Sequence, residues 1–142
     1  MSVSALHLVP GEVLPSLSGG PFKVVLVASS PVPEDWRDIV SNWLIESHCL
    51  YFMATGVECE TWHDCLDWAN LKACEFHKIP QESFVMTTWH ADEPLSEVLW
   101  FAYAAAVHPV VSLEETLLIS VGEQPPSVDL LALYHSVAEQ AN

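Results

Sequence analysis

Cysteine, histidine and aspartate recur between positions 59 and 92, and these are the side chains with which this chain could do chemistry. Cys59 and His63 stand one helical turn apart, a spacing that lets two zinc-ligand types share a helix face. Cys74-x-x-His77 supplies a second such pair. His63 has Asp64 and Asp67 for neighbours, and His90 has Asp92 and Glu93. A carboxylate beside an imidazole fixes its tautomer and favours its charged form, which suits general acid–base work. Cys59 at a helix start would meet the positive end of the helix dipole, which makes a thiol a better nucleophile.

Each of these residues also has a plainer explanation. Cys65 falls on an apolar helix face and Cys49 begins an apolar run, where cysteine behaves as a small hydrophobe. No pair of Cys-x-x-Cys knuckles is present. Asp92 can cap a helix, Asp64 and Asp67 can be solvated helix positions, and Trp62 and Trp89 can be core aromatics. Packed, reduced thiols and no cofactor are therefore expected. Cys59, His63, Cys74 and His77 are the candidate ligands for a metal; Cys59, His63, His90 and Asp92 are the candidates for catalysis. Phosphate chemistry fares worse. There is no Gly-x-x-x-x-Gly-Lys loop and no Gly-x-Gly-x-x-Gly turn, and Arg37 is the one arginine.

The elements that must position these residues alternate along the chain. Residues 1–21 carry three prolines and the Gly19-Gly20 pair, so they read as an irregular lead-in in which Leu6–Val9 can form a short edge strand. Residues 23–28 are a continuous apolar run without in/out alternation, the mark of a strand covered on both faces. Pro33 opens a helix with Trp36, Ile39, Val40, Trp43 and Leu44 at helical spacing, ending near Ser47. Leu50–Ala54 is a second strand, broken by Gly56, and Glu60–Cys74 a second helix. Phe84–Thr87 and Leu117–Val121 give two further strands. A helix over Pro94–Val107 lies between them, and Ser127 can cap a last one. Strands and helices alternating in this way predict one three-layer α/β/α domain with a four-stranded, mainly parallel sheet. We expect the flavodoxin-like order 2-1-3-4 for these four strands. Ligands of such sheets sit beyond the carboxyl ends of the strands, and it is there that the Cys, His and Asp candidates fall.

Charge narrows the partners. Nineteen Asp and Glu face four Lys and Arg, a net charge of −15. Neutralising nucleic-acid phosphates or an anionic membrane surface takes clustered cations, so neither is expected as a partner. An acidic surface suits a basic protein, a cation or plain solubility. No secretory signal and no membrane-spanning stretch is evident, and four cysteines without a signal read as reduced; the cytoplasm is the expected location. The helix from Leu95 to Val107 has only Ser96 and Glu97 as clearly polar residues. A helix apolar all round wants cover all round. That cover comes either from the chain's own termini or from another protein, and in the second case Trp100, Phe101 and Tyr103 would be the contact residues.

Three segments carry a likeness to known proteins: Thr61–Asn70, Phe84–Pro94 and Glu97–Ala102. Over about residues 22–123 the chain resembles a family of small bacterial proteins of unassigned function, which implies a bacterial, intracellular origin and no particular catalytic residue. From the residues themselves, the expected function is non-enzymatic protein binding of the immunity or inhibitor kind, or self-association as a homodimer. The rival is a small hydrolase or metal-dependent enzyme using the Cys/His/Asp cluster.

Overall fold

The apolar runs and amphipathic segments become five strands and four α-helices in the computed structural model, which describes residues 2–142. In chain order they are β1 (Ser2–Leu8), β2 (Phe22–Ala28), α1 (Glu34–Glu46), β3 (Cys49–Gly56), α2 (Cys59–Ala73), β4 (Met86–His90), α3 (Leu95–Ala104), β5 (Glu115–Val121) and α4 (Leu130–Ala141). A single 3-10 turn at Gln81–Ser83 precedes β4. The strands form one sheet in the order β1-β5-β2-β3-β4, and every pairing is parallel.

The α/β class and the parallel sheet are as expected, but the order is not 2-1-3-4. In the numbering of the four expected strands it is 4-1-2-3, with β1 added beside the fourth. Right-handed crossovers account for this arrangement. The steps from β1 to β2, β2 to β3 and β3 to β4 all advance in one direction, so their connections share one face. There α1 packs on α2, and the 9–21 segment lies against α1 through Trp36 Nε1 donating to Glu12 O and Trp43 Nε1 to Pro15 O. The step from β4 to β5 runs backwards, which puts α3 on the opposite face, packed against α4. Composition agrees with the positions taken: β2, β3 and β5 are buried apolar runs, whereas β4 reads Met-Thr-Thr-Trp-His and lies at an edge.

Several boundaries differ from expectation, among them β4, which is Met86–His90 and not Phe84–Thr87. The lead-in is not wholly irregular, since Ser2–Leu8 pairs along its length with β5. Asp92 does not cap α3: it sits in the left-handed region at φ 60°, and Pro94 takes the cap position without a side-chain bond. A cap must be the residue flanking the first helical one, and Asp92 stands too early. For the same reason Asp129, not Ser127, caps α4, its carboxylate accepting from the Ala132 N–H.

The apolar α3 finds most of its cover within the chain. Val98, Leu99 and Ala102 enter the core. Phe101 lies edge-on to Tyr51, and Tyr103 meets Tyr134 of α4 and donates to Asn142 Oδ1. The helix stops at Ala104, short of Val107. Beneath its end the buried Lys23 donates to the carbonyls of Ala102 and Ala106, a cation where the helix dipole is negative. Burial lowers the Lys23 pKa.

Candidate functional site

β4 decides which of the candidate residues can meet. Side chains alternate across a strand, so Thr87 and Trp89 face α2 while Thr88 and His90 face α3. Contacts bear this out: Thr87 Oγ1 donates to Asp67 of α2 at 2.7 Å, and Trp89 packs edge-on to His63 of α2 at 4.6 Å. His90 packs edge-on to Phe101 of α3 at 5.1 Å. Thr-Trp-His occurs at both 61–63 and 88–90, and the two copies touch, Trp89 of the second on His63 of the first. The two histidines, however, lie on opposite sides of the sheet. The expected single cluster of Cys59, His63, His90 and Asp92 is therefore divided in two by its own strand.

On the α3 side His90 is buried and both ring nitrogens are engaged. Nε2 lies 2.8 Å from Thr88 Oγ1 and Nδ1 lies 3.1 Å from Glu93 Oε2. The Thr88–His90 contact joins residues two apart on the strand, and the αL turn at Asp92 brings Glu93 back onto the ring. Thr55 Oγ1 donates to the His90 carbonyl and holds the strand end in place. A hydroxyl, an imidazole and a carboxylate in that order are the connectivity of nucleophile, base and orienter. Asp92, exposed, takes no part in it. Glu93 and Thr88 are the members to which sequence spacing gave too little weight. The alternation of β4 is the signal for Thr88, which shares a face with His90; the turn at Asp92 is what selects Glu93.

On the α2 side His63 Nδ1 lies 2.9 Å from Asp64 Oδ1 and Nε2 lies 3.5 Å from Asp67 Oδ2. Both carboxylates reach solvent. Cys59 is buried at the first turn of α2; Cys74 is half-buried just beyond its end, and His77 is exposed. Among the described residues no three His, Cys, Asp or Glu side chains converge as a metal site would require. All four cysteines are unpaired, and burial pushes the Cys49 thiol up to about 12. A thiol so shifted is almost wholly protonated at neutral pH and is a poor nucleophile.

The region beyond the β2 and β5 carboxyl ends, where the sheet switches direction, is filled by backbone. Ser29 donates to the Val121 carbonyl through both its N–H and its hydroxyl, and Gly122 leaves no space for a side chain beside Ser29 Oγ. Larger hollows open at the other end of the sheet. One of about 460 Å³ is lined by His48, Cys49, Asn70, Cys74 and Glu82, and one of about 480 Å³ lies beside Lys23 and His108. Of the three expected contact residues of α3, Trp100 is 49% exposed, while Phe101 and Tyr103 are half-buried against their neighbours.

Fold and site together define a three-layer α/β protein with an all-parallel five-stranded sheet whose polar chemistry is gathered on one edge strand. Its sequence matches a family profile described as a domain of unknown function (DUF7684) over residues 3–137, and the chain belongs to that family. The match takes in β1 and most of α4, well beyond the 22–123 span of the segments first noted. No curated protein and no solved structure matches the chain significantly. Among the described residues no helix is long and apolar enough to cross a membrane.

Proposed function

We propose that this domain is a non-enzymatic, cytoplasmic binding protein of the immunity or inhibitor kind, of bacterial origin, that covers a basic protein. The observation that carries this reading is which cations reach water. Of the four Lys and Arg, Lys23 and Arg37 are buried, 4% and 7% exposed. Lys72 and Lys78 are left at the surface, against nineteen Asp and Glu in the chain. A surface of one sign steers a partner of the other and repels a second copy of itself. Trp100, exposed on α3, is the kind of aromatic that anchors such contacts. The test is capture from the source cell on the tagged full chain, followed by sizing of the complex. One basic protein at a fixed ratio is expected, released by high salt and lost in Trp100→Glu with the fold intact. Recovery of nothing but a self-dimer would replace this reading with a homodimer.

A second reading rests on the Thr88–His90–Glu93 chain, which suits a small hydrolase. His90 Nε2 would take the hydroxyl proton as Thr88 Oγ1 attacks an ester carbon, with Glu93 stabilising the imidazolium. The ester C–O bond then breaks, the alcohol leaves with that proton, and water hydrolyses the acyl-threonine by the same route. Its test is hydrolysis of an activated ester by the untagged protein. Turnover that falls by about 10²-fold or more in Thr88→Val supports it; equal rates in the two proteins remove it.

A further inference from the structure

The binding reading above leaves open where on the acidic surface a basic partner sits, and the edge of the sheet at β4 gives a place. β4 ends the sheet order, so the outward backbone N–H and C=O groups of Met86–His90 have no neighbouring strand. Edge strands are commonly blunted by lysine, by proline or by a covering segment. β4 contains no charged residue and no proline, and next to its last residue stands Trp89, 45% exposed. Carboxylates flank it on both faces. Asp64 and Asp67 lie on the α2 side, tied to the strand through His63 and Thr87. Glu93 lies on the α3 side, tied through His90. Lys and Arg are absent from this set.

We infer that the partner docks as an extended basic segment added to β4. Backbone hydrogen bonds supply the affinity common to any added strand, and alternate side chains read the two faces. Cationic side chains of one parity meet Asp64 and Asp67 beside Trp89; those of the other parity meet Glu93. A second copy of this chain does not fit, because pairing two β4 edges would bring the same carboxylates together in molecules of −15 each. The inference rests on the binding reading, and it is tested apart from it with a defined probe.

The probe is a short peptide repeating Lys-Lys-Val, whose lysines point to both faces of an added strand, titrated into the full chain while backbone amide signals are followed, with a Glu-Glu-Val repeat as control. Amide shifts confined to Met86–His90 are expected with the lysine peptide alone. Affinity should fall more than about tenfold in Trp89→Lys, which puts a cation on the edge. In Val13→Lys, which puts the same cation on the exposed 9–21 segment, it should hold. Shifts centred on α3, equal affinity in Trp89→Lys, or equal binding of the glutamate peptide would overturn the edge assignment while leaving the binding reading intact. So would failure of the lysine peptide to bind a chain that still captures its basic protein. If no basic protein is captured from the cell but the lysine peptide shifts β4, the edge stands and the immunity or inhibitor reading falls.

Discussion

Replacing Trp62 by alanine should destabilise the protein by about 3–5 kcal/mol, a large part of the roughly 5–15 kcal/mol that holds a domain of this size together. Trp62 is 1% exposed on the inner face of α2 and stands edge-on to Trp36 of α1, ring centroids 6.4 Å apart. Trp36 in turn donates to Glu12 O and pins the 9–21 segment to the same layer. Alanine would remove the indole, leave a void between the two helices and free Trp36 to tilt into it. Urea unfolding followed by circular dichroism checks this: the midpoint should fall with the slope unchanged. A loss below about 1 kcal/mol would mean that the layer refills the void, contrary to the packing seen.

Gly56→Ala is the second large effect, and it comes from backbone alone. Gly56 ends β3 at φ +91°, where an L side chain is strained. Its missing Cβ would also strike the Ala28 carbonyl oxygen, which is held close because it accepts from the Val57 N–H at 2.8 Å. Strain and collision together should cost about 2–5 kcal/mol. Gly11 provides the comparison: it has φ +90° with nothing within 4 Å of the same position. Gly11→Ala should therefore show the strain alone, about 1–2 kcal/mol. Equal losses at the two positions would show that the Ala28 contact yields without cost.

How far the candidate site could be read in the sequence is clearest at β4. The histidines, their acidic neighbours and the strand itself are all legible in Phe84–Pro94. What joins them was not, because a strand sends successive side chains to opposite faces, and one residue of register decides the company each keeps. Reading β4 as Phe84–Thr87 rather than Met86–His90 left His90 in a loop beside Asp92. Placing it in the strand puts it back to back with Trp89 and face to face with Phe101. The helix caps failed similarly. Asp92 and Ser127 are good cap types, each standing two residues before the position that does the capping.

The sequence by itself determined the elements and the class. Period and composition set where the apolar runs end, where the amphipathic helices begin and that strands alternate with helices, since burial is a local demand each segment makes on its own pattern. It also determined the acidic balance. The tertiary structure alone decided the strand order, the division of the Cys/His/Asp candidates across β4 and the burial of Lys23 and Arg37. Those depend on which edge each crossover reaches and which face each turn presents, relations between distant segments that no local pattern encodes.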